Sequence, residues 1–175
     1  MNWTTLLNDE LENLYHVTGL LFEVADNEAL DWKPATGENW MTMGQLLFHI
    51  ATSNGPGFRG FVTGDWGMPD GMSLEDMEPS EMLPPADKMP TVESVEQARE
   101  MLAKDRELAF DVLQSVSEED LAKRELAAPW HPAESFALGR HLLHSIRHSL
   151  QHKGQLFYYL KLQGKQVNTG HLWGM

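Results

Sequence analysis

The 175-residue chain contains no cysteine. That excludes disulfides, thiolate nucleophiles and thiolate metal sites, and leaves histidine, aspartate and glutamate to hold any metal. Basic residues are scarce: 13 Lys and Arg stand against 26 Asp and Glu, for a formal charge of −13. A chain this acidic repels a phosphate backbone and lacks the polybasic patch that an anionic lipid surface attracts. Neither nucleic acid nor membrane is an expected partner. No Lys or Arg precedes Lys33, so no positively charged segment introduces an apolar run as in a secretory signal. Long apolar runs are also missing. The longest uncharged stretch, 39–58, is interrupted by Gly44, Gln45, His49 and Asn54-Gly55-Pro56-Gly57, and a membrane span needs about 20 mostly apolar residues. The expected location is cytoplasmic.

With 42% hydrophobic residues, the chain can build a core without covalent staples. A single domain spanning 1–175 is expected. Four stretches repeat at helical period. Leu7, Leu11, Leu14, Thr18 and Leu21 mark one face of a first helix over about Thr4 to Ala25. A second begins near Met41 with Met43, Leu46, Leu47 and Ile50. It should end or kink at Pro56, with Phe58, Phe61 and Val62 continuing as a separate piece. The third opens on Ser94 and Gln97 at capping-box spacing and carries Val95, Ala98, Leu102, Leu108 and Val112. The last runs from about Ser135 to Leu162 and closes at Gly164. Between the second and third lies an acidic loop of about 64–92, rich in Met and Pro, of a length common in lids and binding loops. Residues 125–134 read as another loop, and no segment reads as a strand. The expected class is all-α, a four-helix bundle.

The histidines carry the functional signal. His141, His144, His148 and His152 fall within a stripe roughly 80° wide on the last helix, with Gln155 and Tyr159 beside them. Arg140, Arg147 and Gln151 lie on one side of it, and Leu142, Ile146 and Leu160 belong to an apolar stripe on the other. Imidazoles at i and i+4 are neighbours and can converge on one metal, with a third ligand supplied by another helix. The same spacing also suits polar residues packed at the edge of a core. His49 stands among Leu46, Leu47, Phe48 and Ile50, where a buried ring needs a partner. His16, His131 and His171 have no visible partners.

The segment His144-x-x-x-His148-x-x-x-His152-Lys153-Gly154-Gln155, followed by Leu156-Phe157-Tyr158-Tyr159-Leu160, resembles the signature of the DinB/YfiT-like metalloenzymes. Trp32-Lys33-Pro34 and Met43-Gly44-Gln45-Leu46-Leu47-Phe48-His49-Ile50 are similar to that family's second-helix segment, in the same order. The resemblance covers nearly the whole chain. It implies an up-down-down-up four-helix bundle with one divalent metal ion held by His49, His148 and His152. Imidazole ligation suits zinc, nickel or iron, and His144, Gln155 and Tyr159, on the same stripe, are candidate site-lining residues. Two features depart from the pattern. Arg147 and Gln151 stand where many members have acidic or histidine residues, and Asn54-Gly55-Pro56-Gly57 breaks the second helix.

Three imidazoles leave a metal with open positions, as in catalytic sites. The resemblance therefore implies a metal-dependent enzyme, either a hydrolase using metal-bound water or an S-transferase activating a low-molecular-weight thiol, acting on a small molecule. The alternative is a non-catalytic metal-binding or interaction bundle with a structural or stress-related role. A homodimer is expected in either case. No Ser-His-Asp grouping or nucleotide fingerprint competes with these assignments.

Overall fold

The computed structural model describes residues 2–69, 71–72, 74, 77–78 and 81–175. The chain folds mainly as helices: α1 (Trp3–Phe22), α2 (Met43–Ala51), α3 (Asn54–Thr63), α4 (Val95–Gln114), α5 (Glu118–Lys123), α6 (Leu138–Leu162) and α7 (Thr169–Trp173). Between α5 and α6 lies a two-stranded antiparallel hairpin, β1 (Glu125–Ala128) and β2 (His131–Ala137).

The apolar faces read from the sequence form the core. Leu7, Leu11, Leu14, Thr18 and Leu21 of α1 are all buried, as are Leu46, Leu47 and Ile50 of α2, Phe58 of α3, and Leu142, Ile146 and Leu160 of α6. Removing each large apolar side chain from water contributes about 1.5–3 kcal/mol. Helices α6 and α4 each pack against α1, α2 and α3.

Local capping fixes the helix ends. Asn2 accepts from the Thr5 amide, and Glu118 accepts from the Trp3 and Thr4 amides across the molecule, each at 2.9 Å. Thr42 and Gln45 form a complete capping box at the start of α2. At α4 the expected box is half made: Ser94 Oγ accepts from the Gln97 amide, but Gln97 Oε1 accepts from the Glu93 amide. Gly164, at φ +78°, takes the left-handed conformation after α6, where its amide donates to the Lys161 carbonyl and that of Lys165 to Leu160.

Three expectations are corrected. The first helix stops at Phe22, and a 3-10 turn at Asn27–Ala29 follows. The stretch 125–134 is a hairpin arm and turn: Glu125, Leu126 and Ala127 pair with Ala137, Phe136 and Ser135, so α6 cannot begin before Leu138. The register shifts between Ala127 and Ala128, and Pro132 sits in that irregularity, where a strand tolerates a missing amide hydrogen. Two prolines in ten residues hid this hairpin. The 64–92 loop, whose positions 70, 73, 75–76 and 79–80 lie outside the described residues, contains a 3-10 turn at Ala86–Lys88. Two side chains pin this end of the loop near α2. Asn39 Oδ1 accepts from the Ala86 amide, and Gln45 Nε2 donates to the Met89 carbonyl, each at 2.9 Å.

Candidate metal centre

The break between α2 and α3 aims His49. Pro56 falls in the first turn of α3, where no intrahelical amide bond is required of it. Ser53, just before α3, turns its hydroxyl back to the His49 carbonyl. The first-turn amides of α3 are taken up by Asp105 of α4, whose carboxylate accepts from Gly55 N at 2.9 Å and Asn54 N at 3.3 Å. Tyr15 Oη donates to the same carboxylate at 2.7 Å. A side chain at Gly55 would meet the Asp105 carbonyl at 2.9 Å, so glycine lets α3 and α4 approach this closely. Asn54 Nδ2 then donates to Ser149 Oγ on α6 at 3.0 Å. The break after His49 is thereby tied to the residue next to His148.

Sequence reasoning missed Asp105, although it follows Leu102 and precedes Ala109 and Val112 at helical spacing. A carboxylate on the core stripe was the available signal. Its burial pushes its pKa up to about 6, and the three donors pull in the opposite direction.

Across this frame, α2 and α6 bring His49, His148 and His152 together, with one ligand nitrogen from each within 4.8 Å of the others. His49 Nε2 and His148 Nε2 lie 2.8 Å apart, and the ring centroids are separated by 4.5–5.0 Å. Nitrogens around a tetrahedral zinc ion sit about 3.3 Å apart, inside the range these rings span. The donor set fits as well. Burial, and next the charge on neighbouring imidazoles, lowers the pKa of His49 and of His148 to about 4, and burial lowers that of His152. His148 is exposed, but its ring centroid lies 5.0 and 4.5 Å from those of His49 and His152. Neutral imidazoles, the form that binds metal, therefore prevail at neutral pH.

A chain of hydrogen bonds orients His152. Its Nδ1–H donates to Gln155 Oε1 at 3.0 Å, Gln155 Nε2 donates to Tyr159 Oη at 3.2 Å, and Tyr159 donates to the Met41 carbonyl at 3.0 Å. Donor directions agree along the whole chain, which leaves the His152 Nε2 lone pair free for a cation. Trp32 sets its edge against the Tyr159 ring at 5.2 Å. Gln155 and Tyr159 thus support the cluster from behind.

The four-histidine stripe divides by role. His141 is buried, its Nε2 bonded to the Leu126 carbonyl at 2.7 Å and its ring stacked on Phe61 at 4.4 Å, so it ties α6 to the hairpin and α3. His144 is exposed and lines a cavity of about 280 Å³ that also reaches His148. A second cavity, about 480 Å³, opens onto His49 and His152 and is walled by Met82, Leu83, Pro84 and Met89 of the long loop. His171 accepts from the Asn168 amide at the start of α7, and His131 lies 3.9 Å from Glu134 on the exposed hairpin, so both stand apart from the cluster.

A mainly helical fold that brings three neutral imidazoles together beside two cavities defines a protein able to hold a metal ion. The sequence pattern of the DinB superfamily matches residues 10–156, and the chain belongs to that superfamily. It is similar in fold to a crystal structure of a DinB-like protein from Bacillus subtilis, at a TM-score of 0.62 and 16% identity over 93% of this chain and 94% of that one. No curated protein matches. No described helix is long and apolar enough to cross a membrane.

Proposed function

We propose that the chain is a metal-dependent enzyme in which His49, His148 and His152 hold one divalent cation. The supporting observation is the cluster of three lowered-pKa imidazoles lining two cavities, with His148 exposed. A cation there supplies Lewis acidity, acidifying a water or a low-molecular-weight thiol or polarising a substrate oxygen. The protein's own groups do the rest. Gln155 fixes the His152 tautomer, the Asp105 clamp holds the backbone of the break that follows His49, and the Met82–Met89 wall restricts access of solvent to the cluster. The activity supported is hydrolysis or thiol transfer on a small molecule. Helices α1, α2–α3, α4 and α6 are assigned to an up-down-down-up four-helix bundle within a single domain. Tyr158 and Leu162, exposed one turn apart on α6, support a homodimer.

Metal analysis on protein purified without chelator tests this proposal. One equivalent per chain is expected, lost in His148→Ala and His152→Ala and retained in His131→Ala and His171→Ala. Equal loading in all four variants would refute the ligand assignment. Calorimetry with small thiols, with and without metal, tests the thiol branch. Stoichiometric metal with no turnover or ligand binding would favour the non-catalytic bundle instead.

A further inference from the structure

The smaller cavity has walls unlike those of the larger. Phe61, nearly buried on α3, stacks on His141 at 4.4 Å and 22° and meets the edges of Trp66 and Trp130 at 5.0 and 5.8 Å. Trp66 and Trp130 meet each other edge to face at 5.6 Å. This aromatic cluster is built in advance: the His141 ring is anchored on the Leu126 carbonyl, and Trp130 is carried on the tip of the β1–β2 turn. Phe61 and Trp130 supply one side of the cavity, Leu83 from the long loop another, and His148 reaches it from α6. Among the described residues, its lining carries no carboxylate, ammonium or guanidinium group. Leu83 is 64% exposed and Trp130 38%, so two large apolar side chains remain wet beside the histidine cluster. Burying such surface against an apolar ligand is favourable, and edge-to-face contacts favour a flat ring over an alkyl chain.

We propose that this bay holds an uncharged aromatic group of the substrate while the polar head of the same molecule reaches the three-histidine cluster. Leu83 lines both cavities and so lies at the boundary between the bay and the larger space above His49 and His152. A ring seated against Trp130 therefore places its substituent beside His148. The proposal rests on the metal-centre assignment and specifies the substrate class for it.

Acetohydroxamate and benzohydroxamate share a metal-chelating head and differ in the ring. Calorimetry on the zinc-loaded full chain should show benzohydroxamate binding about tenfold tighter or more, the gain expected from burying much of one ring. In Trp130→Ala and in Leu83→Ala the ratio of the two affinities should fall to about threefold or less. Both positions are solvent-facing, so the variants are expected to fold, and circular dichroism checks this. Equal affinities in the wild type, or a ratio unchanged in both variants, would overturn the aromatic bay and leave the metal centre standing. Failure of both hydroxamates to bind, or binding that survives His148→Ala, would overturn the metal centre and the bay with it.

Discussion

Asp105 provides the most direct test of how the site is framed. It is 4% exposed, and among the described residues its hydrogen-bond partners are the Tyr15 hydroxyl and the amides of Asn54 and Gly55, with no cation. Burial outweighs those donors and raises its pKa from 3.8 to about 6. The folded protein therefore binds this proton more tightly than the unfolded chain, so Asp105's contribution to stability falls as pH rises through that window and levels off above it. Two pH units at about 1.4 kcal/mol each give about 3 kcal/mol. Asp105→Asn keeps an acceptor oxygen but cannot ionise. Urea unfolding of the metal-free wild type and variant between pH 4 and 8, followed by circular dichroism, isolates the term, because the other groups cancel in the difference. Because the unfolded carboxylate is already more than half ionised at pH 4, the stability of the wild type relative to Asp105→Asn should decrease by about 2.5 kcal/mol from pH 4 to pH 8. A flat difference, or one that grows with pH, would show that the donors hold the carboxylate as well as water does, and would refute the reasoning.

Other tests probe the cluster and its packing. Gln155→Leu removes the acceptor for His152 Nδ1 and should weaken metal binding about tenfold or more with little change in the melting temperature of the metal-free protein, as read by competition with a chelating dye. Because the His49 and His148 pKa values lie near 4, protons compete poorly for those nitrogens at neutrality. Metal content after dialysis should hold at pH 6 and be lost as pH falls toward 4, whereas half-loss near pH 6.5 would contradict the lowered values. Gly60→Ala places a methyl group 2.3 Å from Trp66 Cε3, so the indole must swing away, and a loss of about 1–3 kcal/mol should appear in thermal melts. An unchanged or raised melting temperature would show that Trp66 yields freely.

The helical core was legible because period-3.6 apolar spacing survives any tertiary arrangement, and Leu7 through Leu21 are buried as that spacing requires. The hairpin was not. Strand Glu125–Ala128 has four residues, its partner is largely exposed, and Pro132 sits in the register shift, so neither alternation nor composition marks it. Its existence depends on pairing between Leu126 and Phe136, a contact that local propensity does not encode. Within the site, His148 and His152 were legible as an i, i+4 pair on one helix. The roles of His141 and His144 were not, because the four rings share a stripe and differ in their surroundings: both line one cavity, but His141 is buried against a backbone carbonyl and His144 stands exposed.

Two features that looked irregular in the sequence explain each other in the fold. The Asn54-Gly55-Pro56-Gly57 break interrupts the helix that carries His49, and a helix interrupted there exposes amides that need an acceptor. Asp105 stands on the core stripe of α4, where a carboxylate needs donors. The fold places one against the other, and Asn54 extends the same junction to Ser149 on α6. Had α2 continued without a break, those amides would have had intrahelical partners, Asp105 would have been left without them, and Asn54 could not have linked the His49 helix to the residue adjoining His148. The separation between His49 and His148 is therefore set from behind, by a polar clamp in the core, and a substitution that relaxes the clamp should alter metal affinity without touching a ligand.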